Sequence, residues 1–294
     1  MRKTAFIAIV GKPNVGKSTL LNTILGEKVA IVSDKPQTTR NRITGILTRG
    51  DTQYVFLDTP GVHKPKNRLG DYMVKTATEA ISDVDCVLYV VEADAHISPS
   101  EEKIMNLLSR GRVPAILLIN KIDQSNGEKV GAAIEMFSQK HAFQAVIPIS
   151  AAKNRGIDII FEELEPFLRE SDWFFPEDIA TDQPERQIAA EVIREKILRL
   201  TSEEIPHGTA VVIEDFSERK DLVSIRAEIY CERESHKGIL IGKNGATLKR
   251  IGTYAREDLE KLFHVQVYLN LWVKVKENWR ENAVQVANFG FRDD

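Results

Sequence analysis

Residues 11 to 18 read Gly-Lys-Pro-Asn-Val-Gly-Lys-Ser, two glycines with four residues between them followed by a lysine and a hydroxyl. That spacing suits one task, cradling a chain of phosphates. Gly11 and Gly16 let the backbone curl, so that N–H groups from Asn14 through Val15 to Lys17 turn inward. The N-terminus of the following helix adds partial positive charge, Lys17 reaches the β and γ phosphates, and Ser18, followed by Thr19, offers a hydroxyl to Mg²⁺. Three later segments narrow the ligand. Asp58-Thr59-Pro60-Gly61 supplies a carboxylate that meets Mg²⁺ through water and a Gly61 N–H for the γ phosphate. Asn120-Lys121-Ile122-Asp123 supplies a fixed carboxylate that can accept from N1–H and the 2-amino group of guanine, donors that adenine lacks in that arrangement. Ser150-Ala151-Ala152 supplies an Ala151 N–H for guanine O6. The four segments together therefore point to GTP.

The elements that must hold these residues are legible in the apolar pattern. Ala5 to Val10, Tyr54 to Leu57, Cys86 to Val91, Ala115 to Ile119 and Ala145 to Ile149 are unbroken apolar runs, as in strands covered on both faces of a parallel sheet. Between them lie helix-period segments at 16–25, 69–81, 100–108 and 127–141. Ile157, Ile160, Phe161 and Leu164 continue that spacing. Ile43 to Thr48, turned at Arg49-Gly50-Asp51, predicts an antiparallel hairpin at the sheet edge. Every motif above then falls at a strand's C-terminal end, where open α/β sheets bind ligands. The pattern predicts an α/β P-loop domain over 1–170, a linker at 171–184 marked by Trp173-Phe174-Phe175-Pro176, and a smaller α+β domain over 185–294.

Length and composition agree with two domains. The chain has 294 residues, 43% hydrophobic and 28% charged, an ordinary globular balance. Its net charge of -3 excludes a polycation that coats nucleic acid without selection, so any basic site must be local. Cys86 and Cys231 alone form neither a disulfide framework nor a zinc site. The apolar run near the N-terminus is too short for a signal peptide, and no stretch reaches the ~20 apolar residues of a membrane span.

With its GxPNVGKS loop and Gln37-Thr38-Thr39-Arg40, the first part resembles a translation-factor-type G domain, and most closely the Era family of bacterial GTPases. The resemblance implies Mg²⁺-dependent hydrolysis of GTP to GDP. Lys17, Thr39 and Gly61 would be its catalytic residues, with Ser18, Thr39 and, through water, Asp58 around the metal. The adjacent Thr38 is the alternative to Thr39. Val62 stands where signalling GTPases carry a glutamine, and a valine cannot orient water. Two roles are open for Asn14: helping to bind an activating K⁺, as in potassium-activated GTPases, or bracing the loop.

In the second part, Gly242-Lys243-Asn244-Gly245 lies between two apolar-periodic segments, the arrangement of the KH module, whose GXXG loop clamps about four unpaired nucleotides. Glycines admit the sugar-phosphate backbone, Lys243 neutralises phosphate, and Ile239 and Ile241 can floor a groove for bases. Lys237, Lys249, Arg250 and Arg256 make the stretch from Ser235 to Arg256 basic with no acidic residue, although the domain as a whole is nearly neutral. The element order resembles a type II KH fold, so the resemblance to the Era family covers the whole chain. It implies binding of single-stranded RNA, the 3′ end of 16S ribosomal RNA, during assembly of the 30S subunit. It further implies a monomer in the cytoplasm, with a share held peripherally at the inner face of the membrane. The competing reading is a GTP-dependent switch whose KH-like domain recruits a protein. The amphipathic stretch Glu277 to Phe289 predicts a final helix covering the sheet.

Overall fold

The computed structural model describes residues 1–94 and 96–292. Contacts divide the chain into a unit of Met1–Lys66 with Gly70–Asp182, and a second of Asn67–Leu69 with the residues from Gln183 onward. In chain order the first contains β1 (Lys3–Val10), α1 (Lys17–Leu25), β2 (Ile43–Arg49), β3 (Thr52–Asp58), α2 (Arg68–Ser82), β4 (Cys86–Glu92), α3 (Pro99–Gly111), β5 (Ala115–Asn120), α4 (Gly127–Ser138), β6 (Ala145–Pro148), α5 (Ile157–Leu164) and β7 (Arg169–Glu170). The second contains α6 (Glu185–Leu200), β8 (Ala210–Arg219), β9 (Leu222–Cys231), α7 (Glu234–Ile241), α8 (Ala246–Phe263), β10 (Gln266–Val275) and α9 (Ala283–Asn288).

The first sheet runs β2-β3-β1-β4-β5-β6, parallel except for the β2–β3 hairpin at its edge. Its unbroken apolar runs are explained by two separate cores. Ile7, Ile9, Leu88, Val90, Ile116 and Leu118 point to one face, under α1 and α5. Ala8, Val10, Val87, Tyr89, Leu117 and Ile119 point to the other, under α2, α3 and α4. At about 1.5–3 kcal/mol for each fully buried large apolar side chain, this two-sided burial fixes the strands and the loops that leave them. β1 lies between β3 and β4, so the chain turns to opposite sides of the sheet there, and the phosphate loop opens into that crevice.

One short strand escaped the sequence pattern. β7, only two residues long, pairs antiparallel with β1 through Lys3↔Glu170 and Thr4↔Arg169. The segment after it lies along the first unit: the Phe174 and Phe175 N–H groups donate to Gln53 Oε1, both at 3.1 Å, and the Ile46 N–H donates to Ala180 O at 2.8 Å. Aromatic residues followed by prolines mark a break in periodicity, but Gln53, the fully buried acceptor, sits in an apolar strand and gives no sequence signal.

In the second unit the sheet runs β10-β9-β8, with β10 parallel to β9 and β8–β9 an antiparallel hairpin. Val223, Ile225, Ala227 and Ile229 face a core shared with Ala189, Ile193 and Ile197 of α6 and Ile251, Ala255 and Leu259 of α8. The expected helix over 277–289 is broken. Asn278 takes the left-handed conformation (φ 49°), a 3₁₀ turn spans Trp279–Glu281, and Asn282 caps α9 by accepting from the Val284 and Gln285 N–H groups. Two asparagines thus override the apolar spacing. Trp279 is fully buried, donating from Nε1 to Gly208 O at 2.9 Å and packing against Phe289 and Phe291.

Candidate functional site

The loop after β1 closes on itself around Lys17. Its ammonium donates to Lys12 O (2.9 Å) and Gly11 O (3.3 Å), and burial lowers its pKa to about 8 against the opposing charge of Asp58. Gly16 caps α1 at φ 97°, and a Cβ there would lie 2.4 Å from Asn120 Nδ2, so both conformation and space demand glycine. A cavity of about 500 Å³ opens here, lined by Asn14, Gly16, Lys17, Ser18, Thr19 and Thr39 among others, with Gly61 and Lys121 at its wall. Val15 is buried beneath it and its carbonyl accepts from Asn120 Nδ2 at 2.8 Å.

Three oxygens from distant segments meet at one side. Ser18 Oγ donates to Asp58 Oδ2 at 2.6 Å, and the Thr39 hydroxyl lies 2.8 Å from Ser18 Oγ and 3.4 Å from Asp58 Oδ2. Thr38 instead turns its hydroxyl to Lys35 O at 2.6 Å. Asp58 is fully buried, and burial pushes its carboxyl up to about 6, with Lys17 and the Ser18 and Thr39 hydroxyls holding it down. Its Oδ1 is buried without a hydrogen-bond partner. A set of hard oxygens with one orphaned carboxylate oxygen fits Mg²⁺ held through water better than a softer metal.

The far end of the site is tied together by side chains. Ser150 Oγ donates to Asp123 Oδ1 at 2.6 Å, and that bond, first among its surroundings, lowers the Asp123 pKa. Asn120 joins two loops, donating to Val15 O and accepting from the Ala151 N–H at 3.0 Å. The Ala151 N–H is therefore already engaged, and a guanine O6 would share it, while Ala152 beside it is exposed. Lys121, left-handed at φ 62°, donates to Asn14 O at 2.7 Å and pairs with Glu92. Asn14, at φ 67°, donates from Nδ2 to Asp34 O at 2.7 Å, which braces the loop against the segment leading to Thr39. Gly61 packs on Pro13, and Val62 is fully buried with its N–H donating to Gly11 O at 3.1 Å.

Sequence reasoning missed the second tether of this loop. Lys12 pairs with Asp94 and, at 3.4 Å, with Glu101, whose other carboxylate oxygen closes the Ser98 capping box of α3. Burial opposes the Lys12 charge, but the two carboxylates outweigh it and raise its pKa. The Ser-x-x-Glu spacing before an apolar run was a readable signal for the cap, though not for the tether.

In the second unit, Lys243, Asn244 and Gly245 form a 3₁₀ turn between α7 and α8. Gly242 sits at φ 74°, ψ 173°, and a Cβ there would lie 2.3 Å from Thr247 Oγ1 and 2.8 Å from Thr247 N. Beside the turn a groove of about 350 Å³ runs between α8 and β10, and Gly245, Leu248, Lys249, Gly252, Thr253 and Arg256 line it with Leu269 and Leu271. Ile239 and Ile241 do not line it, and Ile239 is 52% exposed on α7. Lys237 stands on that same helix within 4.0 Å of Glu234, and Arg250 is exposed on α8 beside Lys249. The floor residues Leu269 and Leu271 come from a strand remote in sequence. Lys249, Gly252, Thr253 and Arg256, at i, i+3, i+4 and i+7, were the stripe that marked the wall.

The two halves match separate family models, "50S ribosome-binding GTPase" over residues 6–121 and "KH domain" over 204–280. The GTPase Era of Clostridioides difficile (strain 630) is 51% identical over the full length of both chains, and that of Ruminiclostridium cellulolyticum is 48% identical over 99% of this chain and 98% of its own. Among solved structures, Era in complex with MgGDPNP and nucleotides 1506-1542 of 16S ribosomal RNA superposes with a TM-score of 0.96 at 40% identity, covering all of both chains. A variant of Aquifex aeolicus Era bound to GDP.AlF4- does so with a TM-score of 0.95 at 41% identity, over 99% of this chain and all of the other. Phosphate loop, guanine-side carboxylate, GXXG turn and full-length likeness converge, and the chain belongs to the Era family of GTPases.

Proposed function

We infer that this chain is an Mg²⁺-dependent GTPase whose KH unit binds RNA, the 3′ end of 16S ribosomal RNA, as a switch in assembly of the small subunit. The observation that carries the reading is the meeting of Ser18, Thr39 and Asp58 oxygens beside Lys17, in a chain that matches the Era–MgGDPNP–RNA complex over its whole length. That complex favours RNA over a recruited protein as the occupant of the GXXG groove.

Ser18, Thr39 and, through water, Asp58 would hold Mg²⁺, which supplies positive charge to the β and γ phosphates when bound. The geometry around Thr39, with Thr38 turned away, supports Thr39 as the closing threonine. Lys17 and the backbone of Gly11 to Thr19 cradle the phosphates, the Gly61 N–H serves the γ phosphate, and Asn120, Lys121, Asp123, Ser150, Ala151 and Ala152 form the guanine end. Buried Val62 offers nothing to orient water, so the basal rate is slow and rises when a further group completes the site. Lys237, Gly242, Lys243, Asn244, Gly245, Lys249 and Arg250 meet the RNA backbone, with bases entering the α8–β10 groove. We assign 1–170 to the G domain, 171–184 to the connector and 185–294 to the KH domain.

A second reading concerns K⁺. Asn14 and Asp34 both line the nucleotide cavity, and a cation there would take the Asp34 carbonyl over from the Asn14 amide. Faster hydrolysis in KCl than in NaCl at equal ionic strength, lost in Asn14→Ala, supports it, and equal rates leave Asn14 as a brace. By the family resemblance we take the chain to act as a monomer in the cytoplasm. A peripheral share at the membrane is tested by flotation with anionic vesicles; none of the described helices is long and apolar enough to cross a bilayer.

The main reading is tested by phosphate release from GTP together with fluorescence anisotropy of a 16S 3′-end RNA. Turnover lost in Lys17→Ala and RNA binding by the wild-type chain support it. A chain that turns over no GTP, or binds no RNA, contradicts the corresponding half.

A further inference from the structure

The long helices α6 and α8 cover one face of the second unit's sheet. Its outward face carries Tyr268, Asn270 and Trp272 of β10 in register with Ser224, Arg226 and Glu228 of β9. The C-terminal segment covers the Tyr230 end of this face, through Phe289 at 4.6 Å from the Tyr230 ring. Tyr268 and Trp272 are left 60% and 58% exposed, two large aromatic side chains on one surface.

We propose that this open face is a second RNA platform, on which unpaired bases stack, distinct from the groove beside the GXXG turn; it rests on the RNA-binding reading above. Three observations choose RNA. The face is continuous with the groove: β10 is an edge strand, its Leu269 and Leu271 line the groove, and its alternate residues Tyr268 and Trp272 face outward. RNA leaving the groove past that edge reaches the aromatics without crossing another element. Four residues of strand separate Tyr268 and Trp272 by about 13 Å, room for several stacked bases. Lastly, the RNA in the related Era complex spans 1506 to 1542, far more than the about four unpaired nucleotides a GXXG clamp holds.

Charge says how the platform works. Exposed Arg226 makes no ion pair among the described residues but lies opposite Asp215, and Lys274 pairs with Glu228. The face is close to neutral, so it holds bases by stacking and releases few counterions. Loss of Trp272 therefore lowers affinity without changing the salt dependence, whereas loss of Lys243 reduces the slope by about 0.7.

The test uses the full chain, fluorescence anisotropy and two RNAs: a six-nucleotide unpaired segment that fills the groove alone, and the same segment extended at each end. Trp272→Ala should weaken the long RNA about five- to hundredfold, the range for a lost base–aromatic stack. It should leave the short RNA and the salt slope unchanged, and Trp272→Tyr should restore most of the loss. Equal binding of the long RNA by Trp272→Ala and wild type overturns the platform, as does equal weakening of both RNAs. A photo-crosslinker at position 272 that attaches to a protein of the small subunit rather than to RNA overturns it in favour of protein docking. A wild-type chain that binds neither RNA refutes the RNA-binding reading itself.

Discussion

The nucleotide site and the GXXG groove solve the same problem, holding phosphate, in opposite ways. The first gathers residues from four strand ends and the loop before β2 and ties them by side-chain bonds: Asn120 to two loops, Ser18 to Asp58, Ser150 to Asp123. The second is one helix–turn–helix with exposed lysines and an open groove walled by a single strand. Inside the first, low-dielectric surroundings shift pKa values and make every unpaired atom costly. On the second, charges keep their water, and affinity must come from many weak contacts. A localised triphosphate rewards a prebuilt site; a flexible RNA strand rewards an accessible one.

The comparison breaks first, and most severely, at the guanine end. Asp123→Asn should lower GTP affinity by a factor on the order of 10⁴, because an amide donor then faces the guanine amino group. Xanthosine triphosphate, with a carbonyl at that position, should gain what GTP loses. Competition among four triphosphates measures both, and an unaltered preference for GTP would take Asp123 out of the base site.

Lys17→Ala should come next, with hydrolysis reduced by about 10²–10³ as for other deleted transition-state donors. Single-turnover phosphate release at saturating GTP separates that loss from weaker binding.

Acid should also distinguish the two regions. Asp58, with its pKa raised to about 6, must be ionised to face Mg²⁺, so protons compete with the metal. Apparent Mg²⁺ affinity should fall as pH drops from 7 to 5, since the carboxyl gains its proton through that window. The stretch from Ser235 to Arg256 holds no carboxylate that must ionise, so RNA affinity should change much less over the same range. Titrations of both ligands at matched ionic strength read the difference.

The smallest effect belongs to Lys243→Ala, a modest loss of RNA affinity with the salt slope reduced by about 0.7. Gly242 is a poor place to probe the same contact. Any side chain there meets Thr247 in a left-handed backbone, so even alanine should destabilise the domain by about 1–3 kcal/mol before RNA is considered. Thermal unfolding of Gly242→Ala against Gly245→Ala sharpens this, since Gly245 has open space around its Cβ position and should lose less.

How much of this was legible in the sequence follows the same division. The phosphate site was readable because each of its parts carries a short motif, and because strands buried on both faces advertise themselves as unbroken apolar runs, as at Cys86 to Val91. What the motifs hid were the ties between them. Nothing in the spacing of Lys12, Asp94 and Glu101 predicts their meeting, and Asn14 reaching Asp34 depends on the path of a loop with no periodic signal. In the second unit the GXXG turn was readable, but the α8–β10 groove beside it was not. Ile239 and Ile241 are near the turn in sequence, whereas the residues that floor it, Leu269 and Leu271, arrive from β10 only because that strand pairs parallel with β9. The C-terminal stretch misled in the other direction, its apolar spacing suggesting one helix where Asn278 and Asn282 impose two turns and bury Trp279.

The most direct test of the account is multiple-turnover phosphate release by the full chain, supplied with GTP or ATP, each with Mg²⁺ or with EDTA. The account predicts slow release from GTP with Mg²⁺ only, and none above background in the other three conditions. Comparable release from ATP, or release from GTP that persists in EDTA, would contradict it.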